Sequence, residues 1–453
     1  MKIKYISLLI ISLISIKAFS QFSVDGEFRT RFNMQHGFKT PVLNKDAANF
    51  FLDQRSRISA TYNGEKYSTK LTLQDAKLWG SNDMHNKTGS LGNSYSLGAY
   101  EAWVDVKLNP NFNLKIGRQE WNYNDKRILA SRNIWTSGLT YDGLLLKYSN
   151  PDKQLVADIG LSYNNDGPIN GMETNNEAWV PERLKTMNFL NIQKGLSDKL
   201  TASIMLSLSG KVDTANNALL GTGTHGLFLV YNKGQKAGVG LFGTLSGYYQ
   251  HGADLVRDNE SNYRKISAYL IAGEIGFRTL ENKLEVSAGA ELISGKDYTN
   301  TDADYNSTRH SFDMLYGGRF PYYGGNMNHF LIQDSYLTGT KGGGYANPYV
   351  KLIFKPNSKS IFSLEYFMPY LTTPVTAHVS IDPATNKPSG METDTDGNTV
   401  YWEGNLGNYL DLGWSYKFNK EISLETGLSY AMISDIKNQM VFGYKDAATK
   451  ELH

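Results

Sequence analysis

The fold class this sequence predicts is all-β: an antiparallel barrel that crosses a membrane on its strands. Three observations predict it. Short segments alternate polar and apolar residues from one end of the chain to the other. Very short turns alternate with long polar loops. An export signal opens the 453-residue chain, which contains no Cys.

The elements follow in chain order. Lys2 and Lys4 precede the apolar run YISLLIISLISI, and Ala18 and Ser20 place small residues before Gln21. Residues 1–20 therefore read as a signal peptide, too short to span a bilayer. Residues 21–453 then read as a single barrel domain. A hydrophobic content of 40% and a mean hydropathy of −0.41 exclude a helical membrane protein. The net charge of +2 gives no case for a nucleic-acid partner.

In FSVDGEFRTRFNMQ (22–35), Asp25, Glu27, Arg29 and Arg31 alternate with Phe22, Val24, Phe28 and Phe32. The same pattern returns with Asp53, Arg55 and Arg57 against Leu52, Ile58 and Ala60. It continues with Lys70 against Leu71 and Leu73, then with Glu101, Asp105 and Lys107 against Tyr100, Ala102, Val104 and Val106. Ser203, Ser207 and Ser209 oppose Ile204, Leu206 and Leu208, and Glu425 opposes Leu424 and Leu428. A charged face beside an apolar face suits a watery interior and a lipid exterior. About seventeen such strands are legible.

Short turns fall at Asn63-Gly64, Asn109-Pro110, Asn150-Pro151, Ser197-Asp198, Asn232-Lys233, Glu281-Asn282, Pro356-Asn357 and Asn419-Lys420. Long loops are expected near 36–49, 77–97, 120–138, 164–182, 210–221, 251–262, 294–344, 370–405 and 434–453. The loop 294–344, rich in Gly and aromatics, is the expected constriction or cap. Tyr62, Tyr67, Tyr148, Tyr163, Trp402 and Trp414 read as interfacial girdles. An odd strand count and the final His453 imply a missing closing strand of about ten residues.

The stretch FNLKIGRQEWNYNDKRILASRNIWTSGLTYDGLLLKY, from 112, resembles the alginate export family of outer-membrane barrels. Gly117, Arg118, Gln119, Arg127, Trp135, Tyr141, Asp142 and Gly143 carry the resemblance. LTLQDAKLWG (71–80), HSFDMLYGGRFPYYGG (310–325) and LGNYLDLGWSYKFNKEISLETGLSY (406–430) agree with it. The resemblance implies a monomeric pore of about 18 strands whose inward residues include Arg118, Arg127 and Asp142. For Arg118 this requires that Gly117 mark a bulge turning it inward, since alternation puts it with Leu114 and Ile116.

Alternation places Arg29, Arg31, Arg55, Arg57, Lys66, Lys70, Lys107 and Lys115 inward on the early strands, against Asp25, Glu27, Asp53, Glu101 and Asp105. On later strands Glu274, Glu285, Glu291, Glu365, Asp411, Glu421 and Glu425 face Lys283, Lys351 and Lys417. Such a mixed wall suits passive diffusion of small polar solutes. The alternative is export of an acidic polysaccharide such as alginate. An outer-membrane enzyme or adhesin is a distant third, with His225 and the Ser-rich strand 201–209 as its only candidates, so no enzyme is expected. Residues 392–403, ETDTDGNTVYWE, set Glu392, Asp394, Asp396 and Glu403 at calcium-loop positions, or else form a hairpin turn. No other cofactor is expected. The eight His residues form no HxH or HxxxH pair.

Overall fold

A computed structural model describes residues 21–36, 47–79, 97–133, 136–164, 184–213, 216, 218–233, 239–257, 262–279, 281–314, 342–382 and 387–442. The expected signal peptide, Trp135, the glycine-rich part of 294–344 from 315 to 341, and the tail 443–453 lie outside these residues. Among those described, twenty-three strands form, and seventeen of them have eight residues or more. This matches the strand count read from alternation. Nineteen strands join one sheet. Its ladders are antiparallel, except that the two-residue β14 (Thr308–Arg309) runs parallel to β12 (Tyr263–Thr279).

The chain groups into two compact units. The first comprises residues 1–34, 50–122 and 130–190. It contains β1 (Phe22–Gln35), β2 (Asn49–Asn63), β3 (Tyr67–Leu78), β4 (Leu97–Lys107), β5 (Phe112–Gln119), β6 (Tyr141–Asn150) and β7 (Leu155–Tyr163). Each strand from β2 to β6 pairs with the next along the chain. The second comprises 35–49, 123–129 and 191–453. There β9 (Leu200–Asp213), β10 (Ala218–Tyr231), β11 (Gly240–Arg257), β12 and β13 (Leu284–Ile293) form a meander. It continues through β15 (Tyr345–Phe354), β16 (Ser360–Phe367), β22 (Gly407–Lys417) and β23 (Ser423–Ile433).

Burial in both units is inverted relative to a soluble sheet. Asp53, Arg55, Arg57, Glu101, Glu285, Glu291, Glu365 and Asp411 are buried, while Ile58, Leu97, Val286, Leu364 and Leu412 are exposed on the same strands. Phe28, Phe32, Leu71, Ile204, Leu208, Ile275 and Leu428 are exposed on other strands. A sheet that buries its charges and exposes its aliphatics gains nothing from water on that outer face. It suits hydrocarbon there.

The short turns form where the polar residues stand, because their side chains replace missing ladder bonds. Asn109, Asn150, Asn357 and Asn419 each accept backbone N–H groups two or three residues on. Two long loops were overestimated. β9 runs to Asp213 and β10 starts at Ala218, and β11 runs to Arg257 before β12 starts at Tyr263. These strands extend with polar residues beyond the apolar band, where alternation by hydropathy fades but the ladder does not. The expected ninth loop begins with a helix, Asp435–Phe442. Trp402 is buried and donates to Gln439 at 3.0 Å, so it is not a girdle residue.

Candidate functional site

In the first unit, β1 and β2 place four guanidinium groups on one face. Arg55 and Arg57 are buried, and Arg29 and Arg31 are half-buried. Arg55 Nε donates to Glu27 Oε1 at 2.7 Å, and Arg31 lies 3.9 Å from Asp53. Arg57 Nε donates to Gln74 Oε1 at 2.7 Å, and its guanidinium lies 3.5 Å from the centroid of the Tyr100 ring.

The loop between β5 and β6 lies on this row. Asn133 takes Arg55 Nη1 on its carbonyl at 2.8 Å and Arg57 Nη1 on its Oδ1 at 2.7 Å, and Arg29 reaches the same carbonyl at 3.3 Å. Gln74 Nε2 donates to the Ser137 carbonyl at 2.9 Å. Long loops are normally held at the surface by their own polar backbone. Here the arginines satisfy that backbone and draw the loop onto the charged face. The sequence reading offered 294–344 as a constriction or a cap and did not single out Asn133, Ser137 or Gln74.

Tyr100 was expected on the apolar face and is buried instead. The β3–β4 ladder shifts register there: Thr72 pairs with Glu101 and Leu73 with Ala99. The extra residue turns both Tyr100 and Glu101 to the buried face. Tyr100 then donates to Glu120 Oε1 at 2.6 Å. Further along the wall, Lys70 binds Glu101 at 2.5 Å, Lys147 pairs with Asp105, and the Lys115 ammonium lies 3.8 Å from the Trp103 ring centroid. Lys107 is exposed at the strand end and donates to the Gly64 carbonyl. Asp25 is exposed on β1.

Arg118 and Asp142 do not turn inward. The ladder passes through Gly117 without a register shift, pairing Gly117 with Gly143 and Arg118 with Asp142. Gly117 has φ +118°, and a Cβ there would sit 2.2 Å from the Ala102 carbonyl oxygen. The glycine serves close strand approach and makes no bulge. Arg118 keeps the face of Ile116, and Asp142 that of Leu144, where they form a bidentate pair at 2.8 and 2.7 Å. We expect Arg118→Ala to leave ion selectivity unchanged. It should cost about 1 kcal/mol or less, since the pair stands at the loop end of β5 and β6, where Asp142 is 52% exposed and water screens it. Reversal potentials of the variant check this; a clear cation shift would return Arg118 to the inner wall.

In the second unit, Arg127 is buried between two carboxylates. Nη1 donates to Asp125 at 2.7 Å and Nε to Glu291 at 2.7 Å. Tyr248 donates to Asp125 at 2.6 Å and Tyr345 to Glu291 at 2.8 Å. Glu274 pairs with Lys233 at 2.7 Å, Glu285 takes Arg278 Nε at 2.9 Å, and Glu365 pairs with Lys351. Asp411 stands directly across the ladder from Glu365. The acidic excess expected on this arc is therefore largely offset, because Arg278 and Lys233 were left out of the sequence tally. Arg278 was legible, two and four residues from Gly276 and Glu274 on one face of β12. Glu425 is exposed on β23.

Residues 392–403 take the hairpin form that the sequence offered beside a calcium loop. Asp394 Oδ1 accepts the backbone N–H groups of Asp396 and Asn398, and Thr393 bridges Thr399. Residues 392–403 are a hairpin whose first Asp is spent on its own turn. No group of three metal-ligating side chains occurs among the described residues, so Glu392, Asp394, Asp396 and Glu403 do not converge. The Ser–His pairing considered for an enzyme also fails. Ser203, Ser207 and Ser209 are buried on one face, whereas His225 is paired across the ladder with exposed Leu206 on the other.

No family profile matches the chain, and no curated protein matches it. Solved structures do. OpdL of Pseudomonas aeruginosa superposes with a TM-score of 0.53 at 12% identity, over 90% of this chain and 94% of that one. OccK8 (OprE) of the same organism gives 0.55 at 10%, over 91% and 94%. A BenF-like porin from Pseudomonas fluorescens Pf-5 gives 0.55 at 10%, over 91% and 93%. The fold is that of the Occ-type and BenF-like porin β-barrels.

Proposed function

We propose that this chain is an outer-membrane channel for passive diffusion of small polar solutes through a charged, water-filled barrel. The observation that carries the reading is the inverted burial: paired charges line one face of strands whose other face is aliphatic and exposed. The likeness to solved porin structures, across nine-tenths of both chains, supports it. So does the N-terminal export signal. Asp25, Glu27, Arg29, Arg31, Asp53, Arg55, Arg57, Lys70, Glu101, Asp105, Lys107, Lys115, Arg127, Glu285, Glu365, Asp411 and Glu425 are the pore-lining set. The barrel acts as a monomer in lipid.

The mechanism is electrostatic. The half-buried guanidinium groups of Arg29 and Arg31 present positive charge to water, where they attract solute carboxylates and orient dipoles. Salt screens this attraction beyond about 8 Å at physiological strength, so it acts at the wall and not at a distance. An acidic polymer would have to pass Asp25, Glu27, Glu425 and the Glu365–Asp411 pair as well, and no observation in the structure favours such export over diffusion.

Planar-bilayer recording of the purified protein tests the proposal. We expect steady open conductance with modest selectivity between anions and cations. A closed channel, or strong anion selectivity with one-sided block by oligo-alginate, would reject it.

A further inference from the structure

We infer that His225 and His251 form a two-histidine site for a divalent late transition metal, copper(II) or zinc(II), on the outer face of the barrel. The two lie 26 residues apart on β10 and β11, and their Nε2 atoms are 2.8 Å apart. The ring centroids are 4.9 Å apart, with planes tilted by 45°. In the ladder His225 stands opposite Tyr249, and His251 stands opposite Gly223. The histidines are thus diagonal neighbours on one face, which is the spacing from which two side chains converge on one point.

Gly223 permits that convergence. A Cβ there would lie 2.4 Å from His251 Nε2 and 2.8 Å from its Cε1. The imidazole of His251 therefore lies across the space that any other residue would fill, and so reaches His225. Nothing in the local sequence shows this, since the histidines make no short-range pair.

Position along the strands makes the site wet. On the outer face of β12, Phe277, Ile275 and Ile271 are exposed and apolar, and they are followed by Tyr269, Ser267 and Lys265. Tyr249 pairs with Tyr269 across the β11–β12 ladder, and His251 pairs with Ser267. Tyr249 and Ser267 share a hydroxyl–hydroxyl hydrogen bond at 3.1 Å. The histidines sit at and just beyond a tyrosine row, where apolar residues give way to polar ones, as at a membrane–water interface. A metal ion reaches them without entering hydrocarbon.

The chemistry fits imidazole ligands. Nitrogen donors favour copper(II) most strongly in the divalent series, with zinc(II) also well served. Bonds of about 2.0–2.1 Å at a tetrahedral angle separate two nitrogens by about 3.3 Å, so a small opening of the pair admits zinc. In the free protein one Nε2–H donates to the other Nε2. On metal binding both Nε2 lone pairs face the ion. The shared proton moves to Nδ1 of its own ring, and each imidazole stays neutral. Two protein ligands leave the remaining positions to water.

The test is titration of folded, detergent-solubilised protein, without a histidine tag, using copper(II) alone. We expect one equivalent bound with a two-nitrogen equatorial signature by electron paramagnetic resonance. His225→Gln and His251→Gln should each remove that signature. Gly223→Ala keeps both imidazoles yet should weaken binding about tenfold or more, by displacing one ring. Heat-modifiable gel migration confirms that each variant is folded, and unchanged single-channel conductance separates this site from the pore. Absence of the two-nitrogen signature in the wild type overturns the inference. So does its persistence in the His225→Gln/His251→Gln double variant, or unaltered affinity in Gly223→Ala.

Discussion

Replacing Arg55 and Arg57 together by Ser is expected to raise single-channel conductance and move selectivity several-fold toward cations. Both effects come from the same atoms. The two side chains hold the Asn133 carbonyl, its Oδ1 and the Ser137 carbonyl against the wall. Without them Asn133 retains the longer contact from Arg29, and Ser137 retains the bond from Gln74. Two positive charges also leave the wall while Glu27 and Asp53 remain. A unit charge near the wall is worth about 1 kcal/mol to a passing ion in water and about 4 kcal/mol at an intermediate dielectric, which is enough for a several-fold change in permeability ratio.

Alternation alone put all four arginines in water, where each pair is worth under about 1 kcal/mol. Burial revises that for two of them. Arg55 is 4% exposed and Arg57 7%, so their loss is costlier than that of Arg29 and Arg31. Glu27 is 41% exposed and can be hydrated, and the ladders of β2 are untouched, so the barrel should still insert. The Arg29→Ser/Arg31→Ser variant is the control: a cation shift with little change in conductance. If the Arg55/Arg57 variant folds with wild-type conductance and reversal potential, the loop is not held by these residues.

The second large effect is on stability. Arg127→Met should destabilise the second unit by about 3–5 kcal/mol, the usual consequence of stranding buried charges. Asp125 and Glu291 are 6% and 1% exposed. Tyr248 and Tyr345 donate one hydrogen bond to each, which does not replace a guanidinium. The triple variant Arg127→Met/Asp125→Asn/Glu291→Gln removes the charge imbalance and should recover most of the loss. Denaturant midpoints followed by tryptophan fluorescence measure both. Equal midpoints for wild type and Arg127→Met would mean that this network contributes nothing to holding residues 123–129.

Strand number, turn positions and the polarity of each face were determined by the sequence alone, because each is a local property. Side chains alternate with period two whatever lies beside the strand, so Asp53, Arg55 and Arg57 share a face by spacing alone. Asn109 or Asn419 closes a turn with its own side chain, within three residues. The tertiary structure decided what needs a partner from elsewhere. Whether Arg118 meets water or lipid depended on the register through Gly117. Whether Tyr100 faced in depended on one extra residue in the β3–β4 ladder. Arg127 and Glu291 are 164 positions apart, and Asn133 is 78 from Arg55. His225 and His251 approach because Gly223, two residues before His225 and opposite His251, has no side chain to keep them apart. Strand periodicity is written within a few residues; register and loop placement arise from contacts between distant ones, and no local pattern records them.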